Sequence, residues 1–454
     1  MKPKQIDGVL SVKARLVLRG FEEEGDFRKD SPTCMRESLR LALVIIATNQ
    51  WKINSTDFKT AFLQGYPIDR KVYVKPPKEA GSSGVWKLNK TAYGLKDAPR
   101  EWYLRLRDVI LKVGCKISIT DGGLFIKHHE GKLDGLILIY VDDLLWGGTL
   151  NFVSEVVLKL KEVFEVSSEH STAFQYLGID MNQAEDYSIC ISQENYVNRL
   201  KHIPVSEERS RLKEEVINDE ERQQLRSVVG KLNWLSGSTR PDISFNVGQI
   251  SFGKKAKVKN LILANDVINQ ARNSQTDILF PKLKSMKDAY IVVFTDASFM
   301  NLEDGGSQGG HIIFVTDGVN CCPVTWQSRR IKRIVRSTLA AETLSLVEGC
   351  ETGYMVRKLL NEILPTSDNC AEKPIICYTD NKSLYESAQT TNTVTDRRLL
   401  TEINIVRQMI SRKEIELRWC CAANQTSDVL TKFGAAGGKL RSILHKGKFL
   451  TDLL

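Results

Sequence analysis

Hydrophobic and polar positions change their pattern along the chain and divide it into three stretches. In the first, residues 10–200, short apolar runs alternate with helical segments. Residues 12–19 alternate apolar and basic side chains, which predicts a strand with one cationic face. Ser31 and Pro32 are expected to begin an amphipathic helix that continues to about Asn49, with Ser31 as its N-cap. The first stretch therefore has the mixed pattern of an α+β domain.

The most apolar run of the first stretch ends at two acids. Residues 136–141 are apolar, and the pattern resumes at residues 144–146 after Asp142 and Asp143. This arrangement predicts a hairpin of buried strands with an acidic tip. A further strand is predicted at residues 51–57, followed by a short helix that ends by Gly65.

The pattern changes again near residues 200 and 289. Residues 201–288 are polar and predicted to be rich in helix. From Tyr290 the predicted elements follow the order β-β-β-α-β-α, which is typical of an α/β domain with a mixed sheet. Residues 436–454 form a basic tail, in which the positive side chains lie between Lys439 and Lys448.

Composition narrows the functional class. The 454 residues are 42% hydrophobic and 26% charged, as in folded proteins, and the net charge of +9 favours polyanionic partners. No apolar run approaches the roughly 20 residues needed to span a bilayer, and the N-terminus lacks the apolar core of a signal peptide. The ten cysteines show no paired metal-ligand spacing. These features predict an intracellular protein with reduced cysteines.

Three acids of the first stretch suggest a metal site. Asp142 and Asp143 would repel each other at a hairpin tip, and a divalent cation would remove that penalty, although an acidic pair also suits an ordinary β-turn. Asp57 ends another predicted strand, where an N-cap role is the common alternative. Three carboxylates in this order favour an oxygen site for two Mg²⁺ ions, which can activate a 3′-hydroxyl and stabilise a leaving pyrophosphate.

A set of motifs in one order extends this interpretation. The motifs are KARLV at 13–17 with GF at 20–21, DFKTAFLQG at 57–65, WKLNK at 86–90, YGLKDAPR at 93–100, YVDD at 140–143, YLGI at 176–179 and TRPDI at 239–243. Together they resemble the reverse transcriptases of copia-type LTR retrotransposons. The set spans more than 200 residues, which makes the resemblance specific.

The resemblance implies roles for particular residues. The palm metal ligands it implies are Asp57, Asp142 and Asp143, with the carbonyl of Phe58 as a further ligand. Phe62 would stack under the incoming sugar and exclude a ribose 2′-hydroxyl, although packing in a helix core also explains it. The residues that would line the nucleotide pocket are Tyr93 and Gly94, and either Lys13 or Arg15 would meet the triphosphate.

Four acids of the last stretch form a second candidate site. They lie in FTDAS at 294–298, STLAAE at 337–342, CYTDN at 377–381 and SDVLTK at 427–432. Each acid alone has a structural explanation, such as a helix cap for the glutamate. Together they resemble ribonuclease H of the same retrotransposon family, with metal ligands Asp296, Glu342, Asp380 and Asp428. Such a two-metal site would activate water to cut the RNA strand of a hybrid.

The sequence therefore predicts an α+β protein. Its expected domains are reverse transcriptase fingers and palm at 10–200, a helical thumb or connection at 201–288, an α/β RNase H-like domain at 289–435 and the basic tail at 436–454. The implied cofactors are two Mg²⁺ ions per active site, with Mn²⁺ as a substitute. The implied partners are an RNA template, a DNA primer, an RNA–DNA hybrid and dNTPs, without a membrane. The expected locations are the cytoplasm, in a virus-like particle, and the nucleus.

Two questions stay open at the level of sequence. Lys254 and Lys255 belong to a basic cluster that suits a nuclear signal, a phosphate-contact patch or a solvated helix face. The chain could also be a degenerate or co-opted retrotransposon fragment that binds nucleic acid without catalysis. The seven intact carboxylates favour the enzyme.

Overall fold

The computed structural model describes residues 2–6, 9–13, 16–25, 27–81, 84–274, 276–365, 373–390, 396–435 and 437–450. Its strands, β1–β19 in chain order, are Lys2–Ile6, Val9–Lys13, Asn54–Phe58, Tyr73–Val74, Trp86–Lys87, Lys116–Ile117, Leu124–His129, Lys132–Tyr140, Asp143–Gly148, Val166–Ser171, Ala173–Tyr176, Ile179–Gln183, Ile189–Ser192, Ile278–Phe280, Tyr290–Ser298, Gln308–Thr316, Cys321–Arg330, Ile375–Thr379 and Ile415–Trp419. The α-helices of eight residues or more, α1–α8, are Arg36–Thr48, Ala98–Lys112, Asp219–Ser238, Val258–Asn273, Thr338–Ile363, Lys382–Gln389, Arg397–Ser411 and Gly438–Lys446.

The described chain divides into two compact units. The first unit contains Met1–Cys34, Asn54–His129 and Asp134–His170. The second contains Met35–Ile53, Glu130–Leu133 and Ser171–Leu454, so that α1 belongs to it. The domain boundaries expected from sequence remain a prediction.

A six-stranded sheet forms the centre of the first unit, with strand order β10-β3-β9-β8-β7-β6. Strands β8 and β9 make the predicted hairpin, in which Tyr140 pairs with Asp143 across a two-residue turn. Helix α2 covers the sheet with a buried stripe at Trp102, Leu106 and Ile110, spaced by four residues as one helix face requires. This packing fixes the acidic tip of the hairpin to a rigid core.

The second unit contains a helical region and a mixed sheet. Apolar side chains of α3 and α4 pack into one core cluster beside the four-stranded sheet β11-β12-β13-β14. The five-stranded sheet has the order β17-β16-β15-β18-β19. Its first three strands are antiparallel, and β18 pairs in parallel with both β15 and β19. The predicted mixed α/β domain is confirmed.

Several predicted boundaries are wrong. The helix expected from Ser31 begins at Arg36, with Met35 as its N-cap, because the Ser31 hydroxyl donates to the carbonyl of Pro99 at 3.2 Å. Only the beginning of the strand expected at residues 12–19 is seen, as the end of the strand Val9–Lys13. Residues 16–19 are not in a strand, and residues 14–15 lie outside the described part of the chain. The short helix expected to end by Gly65 is confirmed, as a 3₁₀ helix at Ala61–Gln64.

The two basic segments also differ from their expected form. The basic tail contains helix α8, which buries Leu440, Ile443 and Leu444. The exposed Lys254 and Lys255 precede α4 rather than forming a helix face, because that helix begins at Val258. None of the described helices combines the length and apolar composition needed to cross a membrane.

Candidate active sites

Three carboxylates of the first unit lie at one end of an antiparallel strand pair. Asp57 in β3 is directly opposite Asp143 in β9, and Asp142 occupies the adjoining turn. Burial, together with the neighbouring charges of Asp142 and Asp57, raises the pKa of Asp143 to about 6. The polymerase acids predicted from sequence are therefore brought together, with electrostatics that favour the arrival of a cation.

The hairpin tip is held in an uncommon backbone conformation. Val141, a β-branched residue, has a φ of 60°, in the left-handed region that such residues rarely adopt. Its carbonyl accepts a hydrogen bond from the indole nitrogen of Trp102 at 2.9 Å. The helix that carries this fully buried tryptophan therefore fixes the turn between the strands. Sequence reasoning missed Trp102, which could be found only as a tryptophan on the apolar face of a predicted helix.

The predicted metal ligand Phe58 has a clear structural role as well. Its ring is buried and meets the rings of Trp102 and Phe164 edge-on, at centroid distances of 5.2 and 5.5 Å. This aromatic cluster anchors the end of β3 next to Asp57. The role of the Phe58 carbonyl as a ligand remains a prediction.

Three of the predicted nucleotide-pocket residues lie together. The rings of Phe62 and Tyr93 are 4.7 Å apart, and the Phe62 carbonyl accepts a hydrogen bond from the Thr91 hydroxyl. Gly94 has a φ of 95°, and a Cβ there would lie 2.0 Å from the carbonyl oxygen of Leu18. Close backbone approach therefore requires glycine at this position.

The two candidate triphosphate contacts are not located. The structure describes the backbone of Lys13, which ends β2, and Arg15 lies outside the described residues. Their roles stay predictions from the resemblance.

Three carboxylates of the second unit form a tighter group. Ligand oxygens of Asp296, Glu342 and Asp380 lie within 4.8 Å of one another. Phe294 of β15 and Tyr378 of β18 are paired in parallel. Asp296 and Asp380 each follow their paired residue by two positions, so both acids lie at the same end of the sheet. Glu342 reaches them from the second turn of α5, a helix capped by the side chain of Ser337.

The tight group is electrostatically unfavourable without a cation. Burial raises the pKa of Glu342 to about 9, with the charges of Asp296 and Asp380 adding to the shift. Burial likewise raises the pKa of Asp296 to about 7 and moves that of Asp380 upward. Within the described chain, Glu342 Oε2 is buried and has no hydrogen-bond partner. A buried carboxylate oxygen without a hydrogen-bond partner, next to two other carboxylates, is a suitable ligand for a divalent cation.

The fourth predicted acid stands apart from the group. Asp428 begins a 3₁₀ turn at Asp428–Leu430 and lies 2.6 Å from Lys432 Nζ. The same ammonium is 3.4 Å from Asp296, whose other oxygen accepts a hydrogen bond from the Thr431 hydroxyl. Sequence reasoning missed both Thr431 and Lys432, although the i,i+4 spacing of Asp428 and Lys432 was a signal for an ion pair.

The chain is similar to known proteins along most of its length. Residues 2–207 match the family model described as reverse transcriptase (RNA-dependent DNA polymerase). Over 450 residues, the chain is 27% identical to the retrovirus-related Pol polyprotein from transposon RE1 of Arabidopsis thaliana, covering 94% of this chain and 30% of that protein. Over 449 residues it is 24% identical to the corresponding polyprotein from transposon TNT 1-94 of Nicotiana tabacum, covering 92% and 33%.

The chain is therefore similar to reverse transcriptases over residues 2–207 and to transposon Pol polyproteins over most of its length. Its resemblance to this region of a transposon Pol polyprotein, predicted from the motifs, is confirmed and is consistent with the copia type. The chain spans about a third of the length of the two plant relatives.

Solved structures show weaker likenesses. The foamy viral protease-reverse transcriptase in complex with RNA/DNA hybrid has a TM-score of 0.46 and 12% identity, covering 82% of this chain and 44% of that one. An N-terminal RNase H domain from Mycobacterium tuberculosis, fused to maltose binding protein, has a TM-score of 0.24 and 16% identity, covering 32% and 91%. The strand order and motif positions described above, rather than these likenesses, define the fold.

Proposed function

We propose that this chain is an RNA-directed DNA polymerase with ribonuclease H activity, encoded by a retrotransposon. The observation that carries the proposal is the pairing of Asp57 with Asp143, beside Asp142, in the part of the chain that matches the reverse transcriptase family. A strand pair that ends in three carboxylates suits divalent cations and nucleotidyl transfer.

In the polymerase site, the three acids would hold two Mg²⁺ ions, with Mn²⁺ as a substitute. When bound, such ions supply Lewis acidity at the attacking and leaving oxygens of the in-line displacement. Asp57, Asp142 and Asp143 provide the negative charge that retains them. The adjoining rings of Phe62 and Tyr93 provide an apolar surface for the sugar of an incoming dNTP.

In the nuclease site, Asp296, Glu342 and Asp380 would hold a divalent ion, and Asp428 would complete the set. The buried Glu342 oxygen without a hydrogen-bond partner supports this assignment. The substrate proposed for this site is the RNA strand of an RNA–DNA hybrid. Hydrolysis would leave a 3′-hydroxyl, and the basic excess of the chain supports contacts to the nucleic-acid phosphates.

We also propose the domain boundaries expected from sequence and an intracellular site of action. Strand β10 belongs to the six-stranded sheet and β15 belongs to the five-stranded sheet, which supports a polymerase part followed by a nuclease part. The cytoplasmic particle and the nucleus are the proposed locations.

Primer extension on poly(rA)/oligo(dT) with the purified chain tests the polymerase proposal. The wild type is expected to incorporate dTMP with Mg²⁺ or Mn²⁺, and the Asp142→Asn/Asp143→Asn variant is expected to be inactive. The variant serves as the matched control because it removes two charges and preserves side-chain size. No extension by the folded wild type with either ion would contradict the proposal.

A binding measurement separates the enzyme from a fragment that only binds nucleic acid. Fluorescence anisotropy of a labelled hybrid with an Asp142→Asn/Asp380→Asn variant is expected to show binding that weakens as salt increases, because phosphate contacts release counterions. Binding by the wild type without turnover in Mg²⁺ or Mn²⁺ would favour the non-catalytic fragment. Binding that is absent at low salt would remove nucleic acid as the partner.

A further inference from the structure

The four nuclease acids fall into two geometrically different sets. Asp296, Glu342 and Asp380 form the tight group, in which no cationic side chain of the described chain takes part in an ion pair with Glu342 or Asp380. Asp296 and Asp428 form the other set, and the ammonium of Lys432 bridges them at 3.4 and 2.6 Å. The ammonium therefore stands beside Asp296 and Asp428, whereas Glu342 and Asp380 have no ion-pair partner among the described residues.

The position of Lys432 is fixed by its backbone. Its amide nitrogen donates to the Asp428 carbonyl, and the preceding carbonyl, that of Thr431, accepts from Ser298 Oγ at 2.8 Å and Asn301 Nδ2 at 2.9 Å. The Leu430 carbonyl accepts from the Ser328 hydroxyl. These bonds tie the segment to the ends of β15 and β17, so the ammonium is held near the acids by more than its own ion pairs.

The side chain nevertheless has room to leave. Lys432 is 43% exposed, whereas Asp296 is almost fully buried. An ammonium on a four-carbon stem can move into solvent without breaking the backbone bonds that hold its segment. A divalent ion that binds Asp296 and Asp428 must compete with the ammonium for the same oxygens.

We propose that Lys432 acts as a built-in cation at the second ion position of the nuclease site, so that the site fills in order. The first ion enters the group of Asp296, Glu342 and Asp380, and the second binds only as Lys432 withdraws from Asp296 and Asp428. This inference rests on the nuclease proposal above. It predicts that the two ion positions differ in affinity because of one lysine.

Calorimetric titration with Ca²⁺ or Mn²⁺ tests this order. The full chain is used with Asp142→Asn and Asp143→Asn in the polymerase site, so that the ions measured bind to the nuclease acids. Two binding phases are expected. Lys432→Gln should tighten the weaker phase about fivefold, the factor that corresponds to an ion pair of ~1 kcal/mol, and should change the affinity of the tighter phase less than that of the weaker one. Lys432→Arg, which keeps the charge, should resemble the parent.

Matched controls separate the possible failures. Lys358→Gln changes an exposed lysine of the same helix as Glu342 and should leave both phases unchanged. Lys432→Met removes the charge without adding an amide and provides a second variant should the glutamine variant fold poorly. An unchanged or weakened second phase in both neutral variants would overturn the role of Lys432. Loss of all ion binding in the parent would instead overturn the nuclease proposal itself.

A second readout uses thermal stability rather than ion counting. Ions that bind the folded state raise the melting temperature with their concentration. The Ca²⁺ concentration that produces half of the maximal rise should be lower for Lys432→Gln than for Lys358→Gln. Equal concentrations would contradict competition between the ammonium and the second ion.

Discussion

The indole nitrogen of Trp102 donates a hydrogen bond to the carbonyl of Val141, and this bond joins helix α2 to the turn that carries Asp142. The turn residue has a positive φ although it is β-branched, so its conformation depends on such support. The geometry of the polymerase acids is therefore set by a side chain that lies some 40 residues earlier in the chain.

Replacing Trp102 by Phe should loosen this turn. The ring would still fill much of the core, but the half-buried Val141 carbonyl would lose its donor, at a cost of about 1–2 kcal/mol. We expect DNA synthesis to fall at least about tenfold, the equivalent of ~1.4 kcal/mol, while cleavage of an RNA–DNA hybrid is retained. Single-turnover primer extension measures the first effect. Equal losses in both activities would indicate general unfolding instead.

Removing the Phe62 ring should relax sugar selection. Phe62→Ala takes away the surface that is proposed to clash with a ribose 2′-hydroxyl beside Tyr93. The ratio of dNTP to rNTP incorporation in single-nucleotide extension should fall. Leu63→Ala, which alters the exposed neighbouring side chain, is the matched control. An unchanged ratio in Phe62→Ala would reduce the role of this ring to packing.

The TRPDI motif has a structural role in the second unit. Arg240 and Asp242 are buried and joined by two hydrogen bonds of 2.8 Å, and Arg441 of α8 lies 3.3 Å from the same aspartate. Asp242→Asn would leave a buried guanidinium without its charge partner, at a cost of about 3–5 kcal/mol. Urea unfolding should show this loss.

An exposed ion pair provides the comparison for that measurement. Glu207 and Arg211 pair one helical turn apart with both side chains largely in solvent. Glu207→Gln should therefore change the free energy of unfolding by less than about 1 kcal/mol. Similar effects of Asp242→Asn and Glu207→Gln would contradict a structural role for the motif.

Stability at mildly acidic pH should depend on His311. Burial between Thr295 of β15 and Gln327 of β17, together with the charge of Arg329, lowers the pKa of His311 from 6.5 to about 4. The folded state therefore binds the proton less readily than the unfolded state, so stability from this group is present above pH 6.5 and is lost as the pH falls towards 4. Between pH 7 and 5 the loss should be about 2 kcal/mol.

His311→Gln isolates that contribution, because glutamine does not titrate. The difference in free energy of unfolding between wild type and variant should change with pH over this range. Parallel pH profiles would show that the histidine does not remain neutral in the folded chain.

Periodicity and short motifs were sufficient for much of this fold. The acidic hairpin follows directly from apolar runs on either side of Asp142 and Asp143, and the three strands after Tyr290 appear at the predicted places. The helix expected from Ser31 begins later because the side chain of that serine bonds to a residue far along the chain, Pro99, which no local pattern contains.

The candidate sites could be predicted only in part from the sequence, again because some of their contacts join residues that are far apart in the chain. The seven acids stand in recognisable motifs, but Trp102 and Lys432 act through contacts that depend on the tertiary fold. The ion pair between Lys432 and Asp296 joins residues 136 positions apart, so no local pattern predicts it. Only the other ion pair of Lys432, with Asp428, follows from local spacing. The basic tail similarly contains a packed helix whose Arg441 meets Asp242, about 200 positions earlier in the chain.

We propose that one chain carries a polymerase site and a separate nuclease site. Purified wild type, Asp143→Asn and Asp380→Asn should be assayed in parallel for poly(rA)/oligo(dT) extension and for cleavage of a labelled RNA–DNA hybrid with Mg²⁺. We predict that the wild type performs both reactions, that Asp143→Asn loses only extension and that Asp380→Asn loses only cleavage. Loss of both activities in either folded variant, or neither activity in the wild type, would contradict the account.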